Sequence, residues 1–209
     1  MNIITTMRKI FVTGIGTDVG KTVVSAILTE ALEADYWKPV QAGDLDTSDS
    51  IKLKNLLSNT KTVMHPETYR LSQPMSPHAA AEIDNVTINL EAFKLPITDN
   101  HIVVEGAGGL MVPLNDKDLI VDLIKKLDLE TILVVSNYLG SINHTLLSLE
   151  VLKQKGINVI GIIFNGESNK ESEKYILNYS GIPCLGKVEK HQNITKEIVL
   201  SYKSVFNKL

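Results

Sequence analysis

Between the apolar run Ile10–Val12 and a segment of helical spacing, Thr22–Leu32, the chain reads Gly14-Ile15-Gly16-Thr17-Asp18-Val19-Gly20-Lys21-Thr22. A strand that turns through closely spaced glycines into a helix commits the chain to a βα unit. Its backbone N–H groups and the positive end of the helix dipole then converge on one point. Phosphate suits that point, because Lys21 supplies a charge and Thr22 a hydroxyl for Mg²⁺. The usual phosphate-loop pattern leaves four residues between its first glycine and the Gly-Lys-Thr ending, whereas five separate Gly14 from Gly20 here. A dinucleotide fingerprint fits less well, since the glycine spacing differs and Gly-Lys-Thr has no role in it.

A single βα unit leaves its strand half covered, so the remaining sequence should repeat it. Short apolar runs recur at Tyr36–Val40, Ile102–Val104, Ile132–Val135, Val159–Phe164 and, more weakly, Pro183–Val188; most are near-continuous, as expected of strands covered on both faces. Helical spacing appears at Asp49–Leu57, Leu119–Leu127, Ile142–Leu152, Lys170–Leu177 and Ile194–Phe206. The alternation predicts an α/β fold: one doubly wound, mostly parallel sheet with helices on both faces, and ligands at the carboxyl ends of its strands. Ser58–Thr98, with Pro66, Pro74, Pro77 and Pro96, reads as loop and short helix. The 209 residues suit one domain, with residues 1–6 read as an extension.

Charge narrows the function. The 21 basic and 24 acidic side chains leave a net −3, so nucleic acid is not an expected partner. No apolar run approaches the ~20 residues of a membrane span. A single cysteine, Cys184, rules out an internal disulfide, and the N-terminus lacks a signal-peptide pattern. A cytoplasmic protein is expected.

Other strand ends carry the remaining candidates. Glu105 follows Ile102–Val104 and opens Gly106-Ala107-Gly108-Gly109, where a Mg²⁺-binding carboxylate would sit. Asp49, in Thr47-Ser48-Asp49-Ser50, is open both to that role and to capping the helix that follows. Lys38 stands in or at the end of the second strand, where Pro39 closes off regular pairing, and could neutralise charge during phosphoryl transfer or, as an isolated lysine, be a solvated edge residue. Asn165 could read a purine edge or simply serve the turn before Gly166. His78 and His144 have no paired nucleophile and read as structural.

Taken in order, Gly14-x5-Gly20-Lys21-Thr22, Lys38-Pro39-Val40, Ser76-Pro77-His78, Val104-Glu105-Gly106-Ala107-Gly108-Gly109 and Leu139-Gly140-Ser141-Ile142-Asn143-His144 closely resemble the ATP-dependent dethiobiotin synthetase family, from Ile10 to about Gly186. The resemblance implies a phosphate-loop NTPase-like fold and a ligase of biotin biosynthesis. Such an enzyme closes the ureido ring of dethiobiotin from 7,8-diaminononanoate, CO₂ and ATP, through a carbamate and a carbamic-phosphoric anhydride. By similarity, Lys21 and Lys38 act on the γ-phosphate and carbamate, and Thr22, Asp49 and Glu105 hold Mg²⁺. The nucleotide would also touch Asp18, Val19, Gly20 and Val23, with Gly106, Ala107 and Gly108 alongside and Asn165 and Gly166 near the adenine. Lys38, Ala42 and Gly108 would meet the diamine. The resemblance further implies a homodimer with substrate at the interface, its carboxylate held by Leu139, Gly140, Ser141 and Asn143 of the other subunit and assisted by Tyr175. A helix that opens with Gly140 and Ser141 has independent reason to favour an anion. The chain departs from the family pattern at Asp18, where a longer glutamate is common, at Ala42, where a hydroxyl residue is usual, and at Val188-Glu189-Lys190.

The alternative is a dimeric ATP switch of the partitioning and cell-division type. Those proteins carry a second lysine at the position of Gly16, and the absence of a basic patch here also counts against that reading. An amidating ligase of large tetrapyrroles would need a glutamine-hydrolysing domain with a nucleophilic cysteine, which the late Cys184 does not supply.

Overall fold

The computed structural model describes residues 7–209, and the extension read over residues 1–6 lies outside them. Strand β1 (Lys9–Gly14) shows why the strand runs are apolar throughout. Ile10 and Val12 pack beneath Val24, Ile27 and Leu28 of helix α1 (Lys21–Leu32), while Phe11 points the other way, toward Trp37 and Val104. The chain continues through β2 (Asp35–Trp37), β3 (Val40–Ala42), α2 (Asp49–Leu56), β4 (Met64–His65), β5 (Tyr69–Leu71) and α3 (Pro77–Ile83). It goes on through β6 (Ile102–Gly109), α4 (Ile120–Leu127), β7 (Glu130–Ser136), α5 (Ser141–Gln154), β8 (Val159–Gly166), α6 (Lys170–Ser180), β9 (Cys184–Glu189), α7 (Lys196–Ser201) and α8 (Lys203–Phe206).

Seven strands form one sheet in the order β4-β2-β6-β1-β7-β8-β9, and every pairing is parallel. Central β1 is flanked by β6 and β7, both later in the chain. The glycine turns after β1 and within β6 therefore open on the same carboxyl edge, at the point where strand order reverses. Among the described residues no helix is long and apolar enough to cross a membrane.

The structure corrects three local readings. The second strand, expected to run from Tyr36 to Val40, stops at Trp37, and Val40–Ala42 instead pairs with β5 in a separate two-stranded sheet. The stretch Ser58–Thr98, read as loop and short helix, holds β4 and β5. They are too short for periodicity to reveal and exist by pairing with β2 and β3. The helix expected over Ile194–Phe206 divides at Tyr202, whose hydroxyl accepts the Glu189 N–H at 2.9 Å and so ties the break to the end of β9.

Asp35 sets the start of β2. Its buried carboxylate accepts from Thr98 Oγ1 (2.6 Å), Val63 N (3.0 Å) and Asn100 Nδ2 (3.1 Å), and meets His65 Nε2 at 3.2 Å. Burial opposes its ionisation, but these partners outweigh burial and hold the carboxyl below the usual range. A carboxyl group whose folded pKa lies below its unfolded value of ~3.9 adds stability that is present above that pH and lost as pH falls through the folded value. Asp35→Asn is expected to lower the unfolding free energy at pH 7 by about 1.5–3 kcal/mol. In urea melts, the gap to wild type should narrow below about pH 4.

Candidate active site

The phosphate loop is closed by backbone conformation. Gly20 has φ +89°, and a Cβ there would lie 2.1 Å from Nδ2 of Asn165, so only glycine fits. Asn165 Nδ2 donates to the Val19 carbonyl at 3.0 Å, tying the end of β8 to the loop. Lys21 begins α1 and folds its ammonium back onto the Gly16 carbonyl, 2.8 Å away. Burial, reinforced by the charge of Lys38, lowers its pKa to about 8 against the opposing pull of Glu105, Asp49 and Asp18. A cation kept this poorly solvated is poised to take an anionic partner.

Strand β6 carries Glu105 to the same place. Its carboxylate, 1% exposed, receives Thr22 Oγ1 at 2.8 Å and Lys38 Nζ at 3.0 Å on Oε1, and the Tyr36 hydroxyl at 2.9 Å on Oε2. Lys38 lies in the gap between β2 and β3, with Pro39 behind it, so its side chain is not committed to a strand face. The ammonium also meets Asp49 Oδ2 at 2.5 Å. Burial would depress the Lys38 pKa, but Glu105 and Asp49 hold it above its ordinary value. Burial would likewise raise Asp49, yet Lys38 keeps its carboxyl below the usual range. Asp49 is not the cap of α2: Ser48 takes that role through Ile51 N, leaving the Asp49 side chain free for Lys38.

These groups face a cavity of about 770 Å³. Asp18, Gly20, Lys21, Thr22 and Val23 form one wall, Glu105, Ala107 and Gly108 another, and Lys38, Ala42 and Asp49 a third. Val19 and Gly106 stand just behind the walls, the Gly106 carbonyl 3.5 Å from Lys38 Nζ. Asn165 and Gly166 flank the phosphate loop at the end of β8 and do not line the cavity. Leu139, Gly140, Ser141, Asn143 and Tyr175 are not on its walls either. Leu139 projects fully into solvent, and the half-exposed Tyr175 stacks on Tyr179 with ring centroids 5.9 Å apart.

Thr22, Asp49 and Glu105 fit a hard divalent cation in donor chemistry: two carboxylates and a hydroxyl, with other positions left for phosphate and water. Among the described residues no cluster of three or more His, Cys, Asp or Glu is placed to hold a metal ion.

Sequence reasoning missed three contributors. Tyr36 sits in an apolar strand and reads as core. Gln41 is buried, with Oε1 accepting the Asp49 N–H at 3.2 Å and Nε2 donating to the Gly43 carbonyl at 2.9 Å. Lys52 lines the cavity one helical turn after Asp49, a spacing that was there to be read.

A family model described as an AAA domain matches residues 8–198. The chain is 53% identical over 201 residues to the ATP-dependent dethiobiotin synthetase BioD of Christiangramia forsetii, covering 96% of this chain and 97% of that protein. It is 54% identical over 197 residues to the BioD of Cytophaga hutchinsonii, covering 94% and 95%. Among solved structures it resembles the cell division ATPase MinD of Pyrococcus furiosus, with TM-score 0.66 and 12% identity, covering 97% of this chain and 99% of that one. A ParA family ATPase from Chlorobium tepidum gives TM-score 0.52 and 15% identity, covering 97% and 92%. At these identities the structural likeness concerns the fold alone.

Proposed function

The chain belongs to the ATP-dependent dethiobiotin synthetase family and is an ATP-dependent ligase of biotin biosynthesis, and we propose that its cavity makes dethiobiotin by phosphorylating a carbamate. The carrying observation is Lys38, a buried ammonium held between two carboxylates beside the phosphate loop. Among the described residues no histidine or cysteine lines the cavity. The chemistry needs no strong protein base, because the nucleophile is already charged. One neutral amine of 7,8-diaminononanoate adds to CO₂ and releases a proton to give a carbamate. A carbamate oxygen attacks the γ-phosphorus of ATP, and the bond to the β-phosphate oxygen breaks to release ADP. The second amine attacks the carbonyl carbon and loses its proton, the ring closes, and phosphate leaves.

Catalysis then amounts to positioning and charge. Lys21 and the loop N–H groups hold the phosphates, and Lys38 turns from its carboxylates toward the transferring group and the carbamate. Thr22, Asp49 and Glu105 would hold Mg²⁺, which would offset the negative charge of the phosphates. Gly108 and the Ala42 backbone would meet the diamine, and Asn165 with Gly166 would flank the adenine.

The substrate carboxylate is assigned to the second subunit of a homodimer. Leu139, Gly140, Ser141 and Asn143, with Tyr175 nearby, would bind it from across the interface. Three observations support this: the loop is off the cavity wall of its own chain, Leu139 is fully exposed, and Leu147, Tyr175 and Tyr179 leave α5 and α6 with exposed apolar surface. The function is tested with purified protein, ATP, Mg²⁺, the diamine and bicarbonate. Dethiobiotin should appear with matching ADP, and omitting either the diamine or bicarbonate should stop both. ADP release independent of both substrates would favour an ATP switch.

A further inference from the structure

We infer that Tyr36 is a positioning residue for the metal-binding carboxylate: its phenol O–H fixes Oε2 of Glu105, so that Oε1 alone is turned toward Thr22, Lys38 and the cation site. This rests on the reading of Thr22, Asp49 and Glu105 as the Mg²⁺ set. The three side-chain donors to Glu105 divide unequally, Thr22 and Lys38 on Oε1 and Tyr36 on Oε2 at 2.9 Å. Tyr36 is fully buried, and its backbone is held in register opposite Val103 on β6, two residues before Glu105. Its ring is packed in the core beneath α1, so the hydroxyl has little freedom to follow a rotating carboxylate.

Thr22 and Lys38 both have other work once nucleotide binds. The Thr22 hydroxyl is needed at the cation, and Lys38 at the transferring phosphoryl group. Tyr36 is the one partner of Glu105 with no such second task, and its bond is the one that persists through the cycle. Without it Glu105 could swing Oε2 into the site, chelate through both oxygens or follow Lys38. Partners one shell behind a metal ligand commonly change metal affinity about 10–100-fold when removed.

The test uses Mn²⁺ as a spectroscopic probe, titrated by electron paramagnetic resonance into the full-length protein with saturating ADP. Tyr36→Phe should bind Mn²⁺ about 10–100-fold more weakly than wild type. Its turnover should be reduced at limiting Mg²⁺ and recover as Mg²⁺ is raised, with KM for the diamine unchanged. Installing 3-fluorotyrosine in place of Tyr36 keeps the ring and makes the phenol a stronger donor to Glu105, so it should draw charge from the carboxylate and shift Mn²⁺ affinity measurably from wild type. If Tyr36→Phe does not fold, this second variant decides: Mn²⁺ affinity equal to wild type overturns the inference. Equal Mn²⁺ affinity in a folded Tyr36→Phe protein also overturns it. Failure of the wild-type ADP complex to bind Mn²⁺ would instead remove the metal-set reading on which the inference stands.

Discussion

Lys38→Ala is expected to lower kcat by about 10²–10³-fold while leaving ADP affinity within a few-fold of wild type. The ammonium is buried and charged because Asp49 and Glu105 hold it so, with Asp49 Oδ2 at 2.5 Å and Glu105 Oε1 at 3.0 Å. It lies outside the phosphate loop, and in the proposed reaction it would reach the transferring group rather than the phosphates that ADP retains. Its contribution therefore belongs to the transition state, and an interaction made only there lowers kcat rather than binding when removed. Circular dichroism and ADP titration check that the fold and the nucleotide site survive. Turnover within a few-fold of wild type would show that Lys38 takes no part in phosphoryl transfer.

Lys21→Met should fail differently. Lys21 ends the loop itself, and in the proposed reaction it would serve the phosphates of bound ATP as well as the developing charge. KM for ATP should rise and kcat fall, with kcat/KM reduced by 10²-fold or more. Stability should move the other way. Burial depresses the Lys21 pKa to about 8, which means that the folded, ligand-free protein disfavours this charge relative to the unfolded chain. Methionine keeps the buried stem and removes the charge, so the variant should unfold at the same temperature as wild type or higher. A large loss of thermal stability would contradict this assignment of Lys21, since the fold does not depend on its charge.

The parts of the molecule legible in the sequence were those with strong local signatures. β1, β6, β7 and β8 carry unbroken apolar runs because helices cover both faces, and the phosphate loop carries its own glycine spacing. Pro39 already marked the interruption that frees Lys38. The parts that stayed hidden depend on tertiary pairing. β4 and β5 hold two and three residues and exist through β2 and β3. Asp49 could be read as helix cap or ligand until Ser48 was seen to take the cap. Tyr36 looked like core because its ring is core; only its hydroxyl belongs to the site, and no periodicity reports one atom. Asn165 holds the phosphate loop through the Val19 carbonyl, a contact across 146 positions of sequence that neither a turn nor a purine-edge reading implies.

A rapid-quench turnover with C¹⁸O₂, unlabelled water, ATP, Mg²⁺ and the diamine tests the carbamate route. If a carbamate oxygen attacks the γ-phosphorus and stays with phosphorus when the ring closes, the inorganic phosphate should carry one ¹⁸O atom and the ureido carbonyl of dethiobiotin the other. Labelled dethiobiotin formed alongside unlabelled phosphate would contradict phosphorylation of the carbamate in this cavity.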